Sequence, residues 1–246
     1  MEPVAVAVVI PTLNEAQSIA GAVSEIPRDL VREVIVVDGG STDRTPALAA
    51  AAGARVVAVG ERGYGRACRA GVAAAPSECA ILVFMDGDGA DRGDLMARLV
   101  DPVRRGDYDF VIASRARGER ERGAMSWHQL LAGHLAGLGT RVLYGVRYTD
   151  MCAYRAIRRD CLERLGMREP TYGWNIEMQM RVARAGLRIL EVPMPYRRRS
   201  GGKSKVAGTV RGSVRAAYRI ALTFARVAAA PENGRYRRSR SPSAIR

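Results

Sequence analysis

The sequence has little of the chemistry that a zinc site or a disulfide framework requires. Its 246 residues include four cysteines and two histidines. No two cysteines form a CxxC pair, and both His128 and His134 lie far along the chain from any cysteine pair. These spacings exclude the common zinc-binding motifs, and we expect four reduced, packed thiols, as in a cytosolic protein.

Long apolar segments are also absent. The opening run from Val4 to Ile10 is too short for the core of a secretory signal, and Pro11 ends it. No stretch approaches the roughly 20 apolar residues that a membrane-spanning helix needs. If the protein meets a membrane, we therefore expect it to do so from the surface.

Acidic residues are outnumbered by basic ones, 25 against 39, which gives a formal net charge of +14. This charge favours an anionic partner, which includes nucleotides, lipid phosphates, membrane surfaces and nucleic acids. Aromatic residues make up only 6% of the chain, but 48% of the residues are hydrophobic. A chain of this length and composition can form one α/β domain with a short appendage.

The first half of the chain alternates strand-like and helix-like segments. Strands are predicted at 4–10, 34–37, 55–59, 80–85 and 110–113, and helices at about 15–26, 45–52, 65–75 and 91–104. This order is typical of a Rossmann-like, mostly parallel sheet flanked by helices. Ligands bind beyond the carboxyl ends of such strands. The polar residues that follow the strands therefore predict one site, made of Asn14, Glu15, Asp38, Asp86, Asp88, Ser114 and Arg115.

The second half of the chain is less regular. It predicts a loop at 115–125, helices at 127–143 and 175–185, an extended segment at 149–157 and a strand at 187–193. We predict a catalytic domain over residues 1–205, an amphipathic basic helix over 206–230 and a basic disordered tail over 231–246. The apolar stripe Val214, Tyr218, Leu222 and Ala225 has two interpretations: contact with an anionic membrane, or packing against the domain.

The segment Phe84-Met-Asp86-Gly-Asp88-Gly is the centre of the predicted site. Two carboxylates two residues apart, directly after a buried strand, can share one Mg²⁺ or Mn²⁺ ion that also binds diphosphate oxygens. Such an ion would neutralise the charge on a departing nucleoside diphosphate. Gly87 and Gly89 would let the diphosphate approach the backbone closely.

Several motifs together resemble a known enzyme family. Val8-Val-Ile-Pro-Thr-Leu-Asn-Glu15, Val36-Val-Asp-Gly-Gly-Ser-Thr-Asp43 and Asp86-Gly-Asp88 resemble the inverting glycosyltransferases of family 2, which have the GT-A fold. Gly63-Tyr-Gly65-Arg-Ala67 with Gly71, Glu191-Val-Pro-Met-Pro-Tyr196 and Arg199-Ser-Gly-Gly-Lys-Ser-Lys205 look like the branch that transfers mannose or glucose to dolichyl or polyprenyl phosphate. The resemblance covers about residues 4–225.

The resemblance implies a role for each matching residue on the donor side. The nucleoside pocket would be lined by Pro11, Asn14 and Glu15, with Asp38 on the base. Asp86 would lie near the sugar and ribose and share the metal site with Asp88, the direct ligand. Where the family often has a polar residue, this chain has Ala90, so the diphosphate, water and Asp91 would complete the metal shell. Three acidic residues also have a purely structural interpretation. Glu15 could be a carboxylate at the start of a helix, and Asp38 and Asp43 could be ordinary turn and cap residues.

On the acceptor side, the resemblance implies that Arg115 and Arg117 lie on a loop that closes over both substrates. Contacts to the diphosphate or to an acceptor phosphate would come from Arg199, Ser204 and Lys205. The basic run 197–205 suits an anion cradle but also fits a solvated loop. A phosphate acceptor needs no general base, whereas a hydroxyl acceptor does. The candidate bases are Asp150, the first choice, and Glu177, which also fits a structural ion pair.

Rival functional classes fit the spacing less well. Cys68 stands where a dinucleotide-binding motif starting at Gly63 needs its third glycine, and Arg197 stands where a phosphate loop ending at Gly202-Lys-Ser needs its first. The basic tail leaves open a nucleic-acid-binding module, and a non-catalytic homologue that binds only acceptor also remains. From the resemblance we expect a cytoplasmic enzyme, peripheral on the inner face of the membrane, that moves a hexose from a UDP- or GDP-sugar to a polyprenyl phosphate. It would act alone, as a homo-oligomer or with a membrane subunit.

Overall fold

A computed structural model describes residues 4–201 and 210–230. Within these ranges the chain forms one seven-stranded sheet and eight α-helices. The strands are β1 (Ala5–Thr12), β2 (Glu33–Asp38), β3 (Arg55–Ala58), β4 (Cys79–Phe84), β5 (Phe110–Ser114), β6 (Arg155–Arg158) and β7 (Ile189–Pro193). The helices are α1 (Ile19–Ser24), α2 (Thr45–Ala51), α3 (Tyr64–Ala74), α4 (Ala97–Arg104), α5 (Trp127–Tyr144), α6 (Arg159–Leu165), α7 (Trp174–Arg184) and α8 (Val210–Ala229).

The sheet is mostly parallel, with the strand order β3-β2-β1-β4-β6-β5-β7. Only β6 runs antiparallel to its neighbours, β4 and β5. The central strands are apolar on both faces: all residues from Val6 to Ile10 and from Ile35 to Val37 are fully buried. Continuous apolar strands of this kind are covered by helices on both sides. The predicted α/β fold with flanking helices is therefore confirmed.

The structure differs from the sequence-based prediction mainly in the bounds of helices and strands, which tertiary contacts determine. The first helix is limited to Ile19–Ser24, and the segment predicted as one helix at 91–104 divides into a 3₁₀ turn, Gly93–Leu95, and α4. The predicted extended segment at 149–157 contributes only β6. Helix α6 was not predicted, because its seven residues are too few to show a clear apolar period.

Helix α8 packs against α7, where Val227 lies with Ile176 and Met180, and its Ala216 and Thr223 are also buried. The stripe predicted from the sequence faces outward instead, since the side chains of Val214, Tyr218 and Leu222 are exposed. Among the described residues, no helix combines the length and the apolar character needed to cross a membrane. The predicted domain boundaries are not tested, and the tail at 231–246 lies outside the described residues.

Candidate active site

Six strands run parallel and end at the same edge of the sheet, and predicted site residues follow five of these ends. Strand β1 ends at Thr12 and β2 at Asp38, while β4 ends two residues before Asp86. Strand β5 ends at Ser114, and β7 ends at Pro193. The topology thus brings together polar residues from segments far apart in the sequence, as expected for a doubly wound sheet.

Three aspartates lie together after β4. Asp91 Oδ2 accepts a hydrogen bond from the Asp86 backbone N–H (3.2 Å), so the chain folds back on itself within six residues. Asp86 Oδ1 accepts a hydrogen bond from the Tyr64 hydroxyl (3.3 Å), at the start of α3. Asp88 Oδ1 accepts one from the Ala90 N–H (3.0 Å). The first contact joins Asp86 to Asp91, and Asp88 is close enough for its charge to act on both.

The proximity of the aspartates changes their protonation. Burial and the charge of Asp88 raise the pKa of Asp86 to about 6. Burial and the charges of Asp86 and Asp88 raise the pKa of Asp91 to about 8. A divalent cation would relieve this repulsion, and an oxygen-only ligand set suits Mg²⁺ or Mn²⁺. In residues 4–201 and 210–230 no cluster of three acidic, His or Cys side chains is arranged to hold an ion alone, so diphosphate and water would have to supply further ligands.

Arg199 lies between Asp88 and Glu15. Its Nη1 donates to Asp88 Oδ2 (2.9 Å), and its Nη2 donates to both Glu15 oxygens (2.7 and 2.8 Å). The guanidinium therefore contacts one predicted metal ligand, Asp88, and one predicted residue of the nucleoside pocket, Glu15. Ser204 and Lys205, which were predicted to act with Arg199, lie outside the described residues.

The predicted nucleoside side is built from the loops after β1 and β2. Asn14, which has a positive φ of 52°, accepts a hydrogen bond from the Thr42 N–H (2.8 Å) and so joins the two loops. Pro11 is half-buried in β1. The carboxylate of Asp38 accepts hydrogen bonds from the Gly40 and Ser41 N–H groups, as in the turn interpretation. Asp43 binds Thr45 at the start of α2, which matches its cap interpretation.

The two glycines of the aspartate segment are explained by packing. A Cβ at Gly87 would lie 2.8 Å from Thr12 Cγ2 and 3.2 Å from Ile19 Cδ1. Gly89 has a φ of +75°, and a Cβ there would lie 2.4 Å from Ser200 Oγ. Contact with neighbouring segments therefore suffices to require glycine at both positions, and the diphosphate approach expected from the sequence is not needed to explain them.

On the other side of the site, Asp150 is paired with Arg115. Asp150 Oδ2 accepts from the Arg115 N–H (2.9 Å) and Nε (2.7 Å), and Oδ1 accepts from Nη2 (2.7 Å). The guanidinium also lies over the ring of Tyr196, 5.0 Å from its centroid. Burial raises the pKa of Asp150, but the Arg115 charge and hydrogen bonds outweigh burial and hold this pKa below its usual range. A carboxylate in this state is a weak base.

A cavity of about 480 Å³ opens between the loop after β5, helix α5 and the segment before Asp150. Its lining includes three arginines and two leucines, namely Arg117, Arg120, Arg147, Leu130 and Leu131. Thr149 also lines it and contacts Ser114 Oγ at the end of β5 (2.7 Å). The cavity thus combines positive charge with apolar surface next to the Arg115–Asp150 pair.

The family model for glycosyl transferase family 2 matches residues 7–166 of the chain. The chain belongs to this family. It is 37% identical over 218 residues to an uncharacterized glycosyltransferase of Mycobacterium tuberculosis (strain ATCC 25618 / H37Rv), with 85% of this chain and 93% of the relative covered. It is 34% identical to the undecaprenyl-phosphate mannosyltransferase of Micrococcus luteus, with 83% and 88% covered.

A solved structure with a similar fold is glucosyl-3-phosphoglycerate synthase from Mycobacterium tuberculosis, in complex with Mn²⁺, UDP and glucosyl-3-phosphoglycerate. The TM-score is 0.72 and the identity 26%, with 94% of this chain and 82% of that chain covered. The glycosyltransferase described here therefore has the GT-A fold, and its family assignment agrees with the motifs found in the sequence.

Glu177 of the glycosyltransferase does not fit the role of acceptor base that its position suggested. The side chain is fully buried on α7. Its carboxylate accepts hydrogen bonds from the Arg168 and Glu169 N–H groups and from Arg181 Nε (2.9 Å). Because these donors fix both oxygens inside the protein, the structure supports the ion-pair interpretation, and Glu177 is a structural residue.

Sequence reasoning missed several residues that shape the site. Tyr64, which binds Asp86, lies within the Gly63-Tyr-Gly65 motif, and Tyr196 ends the motif that begins in β7 at Glu191. Glu191 on β7 accepts a hydrogen bond from the Thr149 N–H (2.9 Å) and is 4.0 Å from Arg117 Nη1. Arg147 lines the cavity. The motifs marked Tyr64, Tyr196 and Glu191, but no motif marked Arg147.

Proposed function

We propose that the protein transfers a hexose from a UDP- or GDP-linked donor to a polyprenyl phosphate, with inversion at the anomeric carbon and with Mg²⁺ or Mn²⁺ as cofactor. The observation that carries the proposal is the cluster of Asp86, Asp88 and Asp91 at the carboxyl edge of the sheet. Two of these carboxylates have raised pKa values, so the cluster favours a cation that would join it to a diphosphate.

The cation would be held by Asp86 and Asp88, with Asp88 as the direct ligand. A bound divalent cation acts as a Lewis acid that stabilises the negative charge on the leaving nucleoside diphosphate. Arg199 contacts Asp88 and Glu15 and is therefore positioned beside the expected diphosphate. Pro11, Asn14, Glu15 and Asp38 would form the nucleoside pocket.

In the proposed reaction, an oxygen of the acceptor phosphate forms a bond to C1 of the hexose. The bond between C1 and the donor phosphate oxygen breaks, and the nucleoside diphosphate leaves with the electron pair. The acceptor phosphate is already ionised at neutral pH, so the step requires no base. The side chain of Arg115 would help to hold the two anionic substrates in line for attack.

The acceptor class is supported by two observations. The relative from Micrococcus luteus is named for undecaprenyl phosphate. The cavity near Asp150 places Arg117, Arg120 and Arg147 next to leucine side chains, which suits an anionic head group on an apolar chain. The basic run at 197–205, of which 202–205 lie outside the described residues, would add further cations.

A hydroxyl acceptor with Asp150 as base is the alternative, since the solved structure of similar fold contains glucosyl-3-phosphoglycerate rather than a lipid phosphate. Asp150 fits this role poorly, since both of its oxygens bind Arg115 and its pKa is lowered. In our interpretation Asp150 positions Arg115.

The test supplies the purified protein with Mn²⁺ and a panel of UDP- and GDP-hexoses. Detergent-solubilised polyprenyl phosphate is compared with the matching polyprenol and with phosphoglyceric acid. We expect a glycosylated polyprenyl phosphate by mass spectrometry, with inverted anomeric configuration by NMR, and loss of activity with a chelator. Transfer to polyprenol or phosphoglyceric acid, but not to polyprenyl phosphate, would disprove the proposed acceptor.

A further inference from the structure

Helix α5 has an unusual distribution of side-chain size. Its inward face consists of small residues, and Gly133, Gly137 and Thr140 are buried. A Cβ at Gly137 would lie only 1.8 Å from the Tyr148 carbonyl oxygen, and one at Gly133 would lie 3.5 Å from Asp150 Cα. The helix backbone therefore lies directly against the segment that carries Asp150. Large side chains are excluded from this face.

The outward face of α5 carries the large apolar side chains instead. Trp127 is 74% exposed, Leu135 56% and Val142 77%, and Leu131 and Leu138 are also exposed. Their spacing of three or four residues places all five on one side of the helix. An exposed apolar stripe of this length marks a contact with a partner or a membrane. We call these five residues the α5 stripe.

The charges around the α5 stripe indicate which kind of contact. Helices α5 and α8 contain no acidic residue in their sequences. A Cβ at Gly139 of α5 would lie 2.5 Å from Phe224 Cζ of α8, so the two helices are neighbours. Helix α8 exposes Arg215 and Arg219 together with the apolar Val214, Tyr218 and Leu222. Two neighbouring helices that expose apolar side chains and arginines and contain no carboxylate are complementary to anionic lipid.

The arginine-lined cavity opens next to this surface. Leu131 belongs to the α5 stripe and to the cavity lining, and His134 on the same helix lines the cavity as well. Trp127 at the start of the stripe is a residue type enriched where membranes meet water. Apolar side chains would therefore enter the lipid where the cavity can receive a phosphate.

We propose that the α5 stripe, with the exposed residues of α8, docks the protein on an anionic lipid surface and holds the arginine-lined cavity at the level of the lipid head groups. The α5 helix lies in the plane of the interface, with its apolar side chains in the acyl boundary and the arginines against lipid phosphates. The docking itself is independent of the reaction. Its use, which is to present a lipid phosphate to the cavity, rests on the proposed function.

The test is co-sedimentation of the full chain with two kinds of vesicle, phosphatidylcholine alone and phosphatidylcholine mixed with phosphatidylglycerol. We expect binding to the mixed vesicles that weakens with salt, and at least about tenfold weaker binding to phosphatidylcholine alone. The variant L135E/V142E should bind mixed vesicles at least about tenfold more weakly than wild type, because two carboxylates then face the lipid. Both positions are exposed, so the fold should tolerate the change.

The matched control is A47E/A50E, which adds the same charge at exposed positions of α2. This helix connects β2 to β3, the strand at one edge of the sheet. This control should bind vesicles like wild type apart from a small uniform effect of net charge. Equal binding by L135E/V142E and A47E/A50E would overturn the proposal. A dimer in analytical ultracentrifugation that L135E/V142E dissociates, with vesicle binding unchanged, would also overturn it and assign the stripe to a second copy of the chain.

A transfer assay separates this inference from the proposed function. In detergent, where no bilayer is needed, L135E/V142E should transfer hexose to polyprenyl phosphate at the wild-type rate. On vesicles its transfer rate should fall by about the same factor as its vesicle binding. A third outcome is also informative: the wild-type protein binds mixed vesicles through the α5 stripe but transfers no hexose in detergent. That result would refute the proposed function and support the docking surface.

Discussion

Two groups of buried carboxylates lie at the same edge of the sheet, Asp150 on one side and the aspartate cluster on the other. They differ in how far positive charge neutralises them. Asp150 gives both oxygens to Arg115, and its pKa stays low despite burial. In the aspartate cluster the Arg115 charge opposes the rise, yet the pKa of Asp86 reaches about 6 and that of Asp91 about 8. The Asp150 carboxylate therefore fixes the position of Arg115, whereas the aspartate cluster favours the binding of a divalent metal ion.

The difference assigns separate tasks to the two sides of the site. The side with excess carboxylate suits a divalent cation and the diphosphate that it would bind. The side with the neutralised carboxylate and the arginine-lined cavity suits an anionic acceptor. Arg115 affects both sides, because it pairs with Asp150 and its charge acts on Asp86 and Asp91.

The largest effect should come from the donor side. We expect Asp88→Asn to lower the transfer rate by about 10³-fold, because the direct metal ligand would be lost and the leaving diphosphate would be less stabilised. Initial rates at saturating Mn²⁺, with circular dichroism to verify folding, provide the measurement. The control is Asp94→Asn in the same segment, whose carboxylate pairs with Arg92. Equal rates for both variants would remove Asp88 from the metal site.

A double-mutant cycle tests the acceptor side. Arg115→Lys and Asp150→Asn should each lower kcat/KM by about 10²-fold, and the double variant should be no worse than the more defective single variant, because the residues act as one unit. If Asp150 were instead the base for a hydroxyl acceptor, Asp150→Asn would lower kcat/KM more than Arg115→Lys. The decrease in kcat/KM would then grow with the pKa of the acceptor hydroxyl.

The same pair makes a prediction about stability. A carboxylate with a lowered pKa in the folded state stabilises the protein above its unfolded pKa, and this contribution is lost as the pH falls through the folded value. In urea titrations, wild type should therefore lose its advantage over Asp150→Asn as the pH is lowered from neutral to below the usual aspartate range. An advantage that does not change with pH would show that the pair contributes nothing through ionisation.

A smaller effect is expected in the cavity. Arg147→Ala should raise the KM for polyprenyl phosphate by about tenfold and leave the donor KM unchanged, because one charge-assisted hydrogen bond to the acceptor would be lost. Steady-state kinetics with each substrate varied in turn give both constants. Arg69→Ala, an exposed arginine on α3, is the control. An increase in the donor KM would place the cavity on the donor side instead.

The smallest effect on activity should come from Glu177. Glu177→Gln should lower the free energy of unfolding by about 1–3 kcal/mol, since a buried charged acceptor is weakened, and leave kcat/KM unchanged at temperatures where the variant is folded. Glu163→Gln, on the exposed surface of α6, should change neither quantity. Loss of activity without loss of stability would restore Glu177 as a candidate base.

The regular half of the chain could be predicted closely from the sequence. Strands such as β1 and β2 are continuous apolar runs, and in a parallel sheet their carboxyl ends must meet, which placed Asp38, Asp86 and Asp88 at one edge. The type and order of these elements follow from local patterns, and the family motifs named most of the residues around them.

The remainder depends on contacts that no local pattern encodes. The pairing of Arg115 with Asp150 joins residues 35 apart, and the contact of Arg199 with Glu15 joins residues 184 apart. The sequence left Glu177 open between a base and an ion pair, because the backbone donors that favour the ion pair come from a separate turn at 168–169. The sequence also did not indicate that α5 turns its small residues inward and its large ones outward, since its apolar residues surround the whole helix.

The central claim is that the aspartate cluster binds a nucleoside diphosphate together with a divalent cation. Titration calorimetry of the wild-type protein with UDP, GDP, ADP and CMP, each with and without Mn²⁺, tests it most directly. We predict that UDP or GDP binds selectively and that Mn²⁺ strengthens this binding. If none of the four nucleotides binds in the presence of Mn²⁺, the claim is contradicted and the aspartates would need another explanation.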